Sequence, residues 1–441
     1  TPSNSSAASD VYKRQIQYLV NHYTMQIRLL NQARHYAVST TSGKSSSVRK
    51  LFGRPSNNLT SGIVGLANVG KSTFFQAITK SKLGNPANYP FATIEPEEAR
   101  VLVPSRELDT LRKLYGSKKK IPAILKNFDI AGLVRGASDY KGLGNAFLND
   151  IRSVDGIFQI VRAFKDEDIT HIEGGVDPVR DLTIVQDELI LKDMEFIENS
   201  VEKLEVQLKH KGNKPMHELK FMENQLEALN QAYDLLMEGQ KVINKQDWKD
   251  DHVDALNVHN LLTAKPSVIL VNVNEEDYLN KSNEFLQDIE KWVIEYSPGS
   301  PIILFSADYE TKLNELNESR DIQNDDAENA YEMSSALPEI IQQMRKVLNL
   351  ISFYTCGDIE ARQWTIRQNA TCPNAAGVIH TDFEKTFINA ELIKFEDVKD
   401  LQPPFDEKLL KSKGKVQRVG KNYIVEDGDI FHFKAAAAKK K

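Results

Sequence analysis

The chain has 441 residues, which is too long for one ordinary core; domains of roughly 100–200 residues predict two to four of them. Hydrophobic residues make up 41% of the sequence and charged residues 27%, which excludes wholesale disorder and fibrous repeats. There is no run of eighteen apolar residues, so we expect no insertion into a membrane. The two cysteines, Cys356 and Cys372, form no zinc motif and are typical of a reducing compartment.

The net charge of −6 is unevenly distributed, because residues 1–61 contain eight Lys or Arg and one acidic residue, Asp10. From Met25 to Asn58 there are six basic residues, no acidic residue and many Ser and Thr. This composition is typical of a mitochondrial transit peptide, since a cationic segment is drawn towards the negative side of an energised membrane. A disordered basic tail is the alternative. We therefore interpret residues 1–60 as a basic arm and favour the mitochondrial matrix over the cytoplasm.

Short apolar runs downstream of the arm predict strands that are buried on both faces. These runs are Gly62–Gly65, Ile124–Ile130, Gly156–Val161, Pro266–Val271 and Pro301–Phe305. Helical patterns lie between them, and this alternation predicts an α/β fold with a doubly wound parallel sheet. The sheet would be built from residues 61–186 and 264–350.

The strand pattern stops between residues 187 and 263. Glu188–Leu208 and Met216–Leu236 predict two long amphipathic helices joined by a short turn, which form an inserted helical hairpin. Their leucines predict a packing seam between the helices, with a partner-binding groove as the alternative. A strand-rich pattern over residues 351–434 predicts a separate small α+β domain, and residues 435–441 form a tail.

The stretch from Gly65 to Ser72 fits the pattern G-x-x-x-x-G-K-[ST] between a predicted strand and a predicted helix, the context that identifies a phosphate-binding loop. Glycines let main-chain N–H groups turn towards phosphate oxygens, and the helix N-terminus adds partial positive charge. We expect Lys71 to reach the β- and γ-phosphates and the Ser72 hydroxyl to bind Mg²⁺. The expected nucleotide contacts of this loop are Asn68, Val69, Gly70, Lys71, Ser72 and Thr73.

Three further candidates for phosphate and metal contacts follow the loop. Asp129 ends a predicted strand about 57 residues after the loop and suits Mg²⁺, and the Gly132 N–H can approach the γ-phosphate. Thr93, which lies between the loop and Asp129, either supplies a second hydroxyl ligand to Mg²⁺ or is an ordinary loop residue. Leu133 follows Gly132 and cannot orient a water molecule as the glutamine of Ras-like switches does. We therefore expect slow hydrolysis or another way of positioning water.

The loop that reads the base departs from the Asn-Lys-x-Asp sequence of GTPases. Asn272 is retained, but Val273 stands at the lysine position and Glu275 at the aspartate position. A displaced carboxylate and a short apolar stem weaken the recognition of guanine, so we expect a preference for ATP or relaxed specificity. Ser306 and Ala307, after the next predicted strand, occupy the place of the second base-contacting loop.

The motifs together resemble the Obg-like ATPase (YchF) family, from about Gly62 to Lys434. The most specific features are Gly65–Ser72, Asn88–Ile94, Asp129–Gly144, Asn272–Glu275 and Ala375–Lys385. The resemblance implies a Ras-like P-loop NTPase domain, an inserted helical hairpin domain and a C-terminal TGS domain of β-grasp type. It also implies binding and slow hydrolysis of ATP, and association with the ribosome.

The sequence departs from this family at Gln159, where members often carry a histidine that is proposed to help hydrolysis. Glutamine cannot act as a general base, although its amide could orient a water molecule. At Val273 the family often has leucine or methionine, an apolar exchange that should keep the adenine contact. The basic arm is also additional, and it suggests an organellar member whose partner is a mitochondrial ribosome.

Two other functions remain as alternatives to a slow ATPase switch. One is a module that binds the ribosome or ribosomal RNA and in which the nucleotide is mainly structural. Its candidate phosphate contacts are Lys118, Lys119, Lys120, Arg162, Lys385 and Lys394, although a basic cluster is also typical of a solvated face. The other is an ordinary GTP-binding protein, and Glu275 argues against it.

Overall fold

The fold is that of a computed structural model, which describes residues 50–80, 98–130, 150–210, 214–319, 334–403 and 407–436. The strands are β1 (Thr60–Val64), β2 (Glu98–Leu102), β3 (Lys119–Ile121), β4 (Ile124–Asp129), β5 (Gly156–Arg162), β6 (Ser267–Asn272), β7 (Ile302–Phe305), β8 (Leu350–Cys356), β9 (Glu360–Arg367), β10 (Phe387–Lys394), β11 (Gln417–Val419) and β12 (Asp429–Ala435). The helices are α1 (Lys71–Lys80), α2 (Arg106–Tyr115), α3 (Pro178–Lys209), α4 (Met216–Met237), α5 (Asp250–His259), α6 (Glu275–Asn280), α7 (Leu286–Tyr296), α8 (Ala307–Ser319), α9 (Leu337–Val347), α10 (Cys372–Ile379), α11 (Thr381–Lys385) and α12 (Glu407–Ser412).

The first sheet has the strand order β2-β4-β1-β5-β6-β7. The five neighbouring strands β4, β1, β5, β6 and β7 run parallel to one another, which confirms the α/β prediction. The expectation of an entirely parallel sheet is wrong at one edge, because β2 runs antiparallel to β4. The sequence did not reveal β2, since Glu98 and Arg100 interrupt its apolar residues; the two side chains form an ion pair at 2.8 Å. An antiparallel edge strand is common on such sheets.

One long helix joins the first sheet to the helical insertion: α3 has 32 residues and runs without a break from one to the other. Its first part buries Leu182 and Leu189 in the core of the first sheet. Its second part buries Ile197 and Leu204 in a second core, which also contains Leu229 of α4. A packing seam between the two helices is therefore observed. None of the described helices is long and apolar enough to span a membrane.

The second sheet has the strand order β11-β10-β12-β8-β9-β3 and takes one strand from the first half of the chain. That strand is β3, which pairs with β9 in parallel, Lys119 opposite Glu360. The preceding helix, α2, buries Leu108 and Leu111 in a core with Tyr354 of β8. The C-terminal α+β region, expected from residues 351–434, therefore packs directly on a segment between β2 and β4. Its description as a TGS domain stays a prediction.

Residues 50–58 form a strap that lies against the helical insertion. Asn257 of α5 accepts a hydrogen bond from the Gly53 N–H at 2.8 Å and donates one to the Leu51 carbonyl at 3.1 Å. The ring of Phe52 meets the ring of Trp248 edge to face, with 6.4 Å between their centroids. These contacts join the strap to the second core.

The strap also contacts the other two parts of the fold. Arg367 of β9 donates to the carbonyls of Phe52 at 2.6 Å and Arg54 at 2.9 Å. Arg54 in turn forms an ion pair with Asp155, next to β5. The expected arm of residues 1–60 is therefore too long, because residues 50–60 belong to the folded part. Composition did not show this, since the contacts are mainly hydrogen bonds to a polar main chain.

Candidate functional site

The phosphate loop connects β1 to α1, as its sequence predicts. A Cβ at Gly65 would lie 2.4 Å from the carbonyl oxygen of Ile160, so this position has room only for glycine. Asn68 and Gly70 have φ angles of 61° and 98°, in the left-handed region that favours glycine and asparagine. Left-handed residues inside such a turn let successive N–H groups form an anion-binding concavity.

Lys71, the first residue of α1, is buried inside the loop with 7% of its surface exposed. Its Nζ donates to the carbonyl oxygen of Leu66 at 2.7 Å. Burial lowers the pKa of Lys71 to about 8, and the nearby carboxylate of Asp129 opposes that shift. Ser72 and Thr73 follow in the first turn of α1 and are exposed. A buried cation beside exposed hydroxyl groups suits a polyanionic ligand with a bound metal.

Asn272 connects the phosphate loop to both predicted base-contacting loops. Its Nδ2 donates to the Val69 carbonyl at 3.0 Å, and its Oδ1 accepts from the Ala307 N–H at 3.1 Å. Val273 is buried, and its N–H donates to the Phe305 carbonyl at 2.9 Å. The structure thus brings these sequence-predicted residues together, and the buried Ser306 lies beside them in the chain.

Glu275 has a partner that the sequence did not reveal. It is the first residue of α6, and its Oε2 lies 2.8 Å from the Nζ of Lys312 in α8. Asp308 pairs with the same ammonium group at 2.7 Å, and the two carboxylates raise the pKa of Lys312. The carboxylate at the guanine-reading position is therefore already bound to a cation.

The remaining predicted catalytic and metal residues are described only in part. Asp129 ends β4, close enough to the phosphate loop to influence Lys71. Gln159 lies in β5 with 2% of its surface exposed, and its Nε2 has no hydrogen-bond partner among the described residues. Thr93 and Gly132 lie outside the described residues, so their roles stay predictions.

The candidate RNA contacts separate into buried and exposed side chains. Arg162 is wrong as a phosphate contact, because only 1% of its surface is exposed. Lys394 is bound to Glu426 and Asp429 at 2.8 and 2.7 Å, and so is a poor candidate. Lys120 pairs with Asp109. The candidates that remain exposed without a described ion pair are Lys118, Lys119 and Lys385.

Comparison with known proteins decides the family. Residues 60–192 match the MMR_HSR1 model, described as a 50S ribosome-binding GTPase, and residues 350–436 match the YchF-GTPase_C model, described as a protein of unknown function. The Obg-like ATPase homolog of Saccharomyces cerevisiae is 54% identical over 397 residues, which cover 88% of this chain and 97% of that protein. The chain belongs to the Obg-like ATPase (YchF) family.

Other members of the Obg-like ATPase (YchF) family agree with this assignment. Obg-like ATPase 1 of Homo sapiens is 45% identical over 392 residues, covering 87% of this chain and 94% of that protein. The solved structure of the Schizosaccharomyces pombe YchF GTPase has a TM-score of 0.76 and 46% identity, and covers 87% of this chain and all of that one. The family resemblance and the fold class are thus confirmed, and the chain is a nucleotide-binding P-loop protein. The names of these relatives include both ATPase and GTPase.

Proposed function

We propose that this chain is a nucleotide-dependent switch that prefers ATP to GTP and slowly hydrolyses ATP to ADP and phosphate. The observation that carries the base preference is the ion pair between Glu275 and Lys312, 2.8 Å apart. A guanine-specific site offers a carboxylate to the N1–H and exocyclic amine of the base. Here guanine would have to compete with an ammonium group, whereas adenine has no N1–H that needs the carboxylate.

Mg²⁺ fits the residues around the phosphate loop, because hard cations prefer oxygen ligands. The Ser72 hydroxyl and the Asp129 carboxylate would hold it, with Thr93 as the proposed third protein ligand. When bound, the ion neutralises charge on the phosphates. Lys71 would bind the β- and γ-phosphates, and the Gly132 N–H would contact the γ-phosphate. Leu133 stands where a water-orienting glutamine would accelerate the reaction, which supports slow turnover; Gln159 is the proposed substitute.

Wild-type protein is expected to bind ATP about ten- to a hundredfold more tightly than GTP, since losing a matched pair of hydrogen bonds typically costs about 1–3 kcal/mol. Parallel titration of labelled ATP and GTP measures this ratio. The double variant Val273→Lys, Glu275→Asp should gain affinity for GTP, and so should Lys312→Met, which releases Glu275. Asp308→Asn is the matched control, because it removes the charge of the other partner of Lys312 and leaves the ion pair between Glu275 and Lys312 in place. Tenfold tighter binding of GTP by the wild type would refute the preference.

Ribosome association in the mitochondrial matrix is the second part of the proposal. It is supported by the description of the family model that matches residues 60–192, by the exposed Lys118 and Lys119 at the edge of the second sheet, and by the basic arm. The alternative is a ribosome-binding module in which the nucleotide is mainly structural. The two differ in whether ATP changes binding to the ribosome.

Cosedimentation with ribosomes tests both partner and compartment. We expect the protein to sediment with mitochondrial ribosomes more than with cytosolic ones, and ATP to change the bound fraction. A structural role for the nucleotide instead predicts binding that ignores ATP but falls steeply with salt, because phosphate contacts release counterions. If the protein sediments with neither kind of ribosome at low salt, the proposed partner is wrong.

A further inference from the structure

Arg162, the last residue of β5, is a buried cation that donates to main-chain carbonyl groups. Its Nε donates to Phe164 at 3.0 Å, its Nη2 to Asp166 at 3.1 Å and its Nη1 to Ile169 at 2.8 Å. Its guanidinium carbon also lies 4.6 Å from the centroid of the Phe164 ring. A guanidinium group is a rigid planar fork of five donors, so these bonds fix the bend of the chain after β5. We call residues 163–171 the brace loop.

His171 fixes the other end of the brace loop to helix α3. Its Nε2 lies 2.8 Å from Oδ2 of Asp181, which is in the first turn of that helix and is 1% exposed. The Glu173 N–H donates to Nδ1 of the same ring at 3.2 Å. Because Nδ1 accepts this bond, Nε2 is the ring nitrogen that donates to Asp181.

The phosphate loop contacts the brace loop between these two anchors. Nδ2 of Asn68 donates to the carbonyl oxygen of Thr170 at 3.1 Å. Asn68 is exposed, has a φ of 61°, and lies three residues before Lys71. A left-handed residue at this point sets the direction of the N–H groups that follow it. The hydrogen bond to Thr170 therefore restrains the part of the loop that approaches phosphate.

We propose that the brace loop positions the phosphate loop for its nucleotide through the bond between Asn68 and Thr170. Arg162, His171 and Asp181 are then positioning residues that hold the brace loop in place. The proposal rests on nucleotide binding by the phosphate loop, and not on the choice of base or on the ribosome. The phosphates of ATP and GTP are the same, so the brace loop affects both nucleotides equally. Contacts made equally in ground and transition states change affinity and leave the turnover number unchanged.

The test is a double-variant cycle with Asn68→Gly and His171→Ala, in the full-length chain. Glycine keeps the left-handed conformation at position 68 and removes the amide. Each single variant is expected to bind ATP and GTP about three- to tenfold less tightly, the usual effect of one hydrogen bond. The affinity of the double variant should be no lower than that of the single variant with the lower affinity, because both changes remove the same contact. His171→Gln should restore wild-type affinity, since the glutamine amide can replace Nε2–H as the donor to Asp181.

Four results would overturn the proposal. In the first, His171→Ala lowers the melting temperature but leaves both nucleotide affinities unchanged, which shows a purely structural role. In the second, the losses in the double variant multiply, which shows that the two residues act independently. If His171→Ala does not fold, Arg162→Lys takes its place in the cycle, because Asn68 is itself an expected nucleotide contact; unchanged affinity in Asn68→Gly also contradicts the proposal. A change in the ratio of ATP to GTP affinity would also contradict it, because the brace loop is expected to affect both nucleotides equally.

Discussion

Lys71→Ala is expected to weaken nucleotide binding by about a hundredfold, because a hydrogen bond to a charged group contributes up to about 3 kcal/mol. Lys71 is the buried cation of the phosphate loop, and the other expected donors there are main-chain N–H groups. Titration with labelled nucleotide measures the loss. Nucleotide should also stop raising the melting temperature of the variant, since only binding to the folded state stabilises it.

The matched control for this prediction is Lys291→Ala. Lys291 lies in α7, which packs on the core of the first sheet, but 74% of its side chain is exposed and it pairs with Asp288. This variant should bind nucleotide like the wild type. Unchanged affinity and turnover in Lys71→Ala would contradict the assignment of the phosphate loop.

The pH dependence of binding gives a second readout of Lys71. Burial holds its pKa at about 8 without nucleotide, and a bound polyanion raises that pKa. Binding therefore takes up a proton above pH 8, and affinity should fall as the pH rises from about 8 towards 10. The Lys71→Ala variant lacks this group, so its remaining affinity should fall less over the same range.

The phosphate loop could be predicted from sequence because its chemistry depends on local spacing. Gly65, Gly70 and Lys71 lie within seven residues, and the strand and helix on either side follow from apolar patterns. The buried strands could be predicted for the same reason. Strand β2 could not, since Glu98 and Arg100, which form an ion pair, interrupt the pattern of Ala99 and Val101, which are buried in the core.

Contacts between distant parts of the chain decided what sequence alone could not. Glu275 and Lys312 are 37 residues apart, and no local pattern indicates that they pair. Arg162 showed the opposite problem, because an arginine that binds RNA and an arginine that binds main-chain carbonyls look identical in a sequence. Only burial distinguishes the two, and burial depends on how the loop after β5 folds back over the side chain.

Lys241 is a second buried lysine, and it has no carboxylate partner among the described residues. It follows α4, and 4% of its surface is exposed. Its Nζ donates to Oγ of Ser297 at 2.9 Å and lies 6.0 Å from the centroid of the Trp292 ring. Burial lowers the pKa of Lys241 from 10.5 to about 8. The ammonium form is therefore destabilised in the folded protein relative to the unfolded chain.

Lys241→Met is expected to raise the free energy of unfolding at pH 7 by about 1–3 kcal/mol. A pKa difference of about two units corresponds to roughly 3 kcal/mol, and the loss of the hydrogen bond to Ser297 offsets part of it. Methionine fills a similar volume and has no charge to desolvate. Urea denaturation of wild type and variant at pH 7 measures the difference, with the exposed Lys203→Met in α3 as the matched control.

The difference between wild type and Lys241→Met should disappear as the pH rises from about 8 to 10.5. Below the lower of these values the lysine is charged in both states, so the wild type carries the full cost of burying it. Between the two pKa values the unfolded chain binds a proton that the folded protein does not, so the stability of the wild type rises with pH. Methionine does not titrate, and the stability of the variant therefore lacks this dependence on pH.

A stability difference that stayed constant from about pH 7 to pH 10 would show that Lys241 is not held with a lowered pKa. A variant less stable than wild type at neutral pH would show that the contact with Ser297 outweighs the cost of burying the charge.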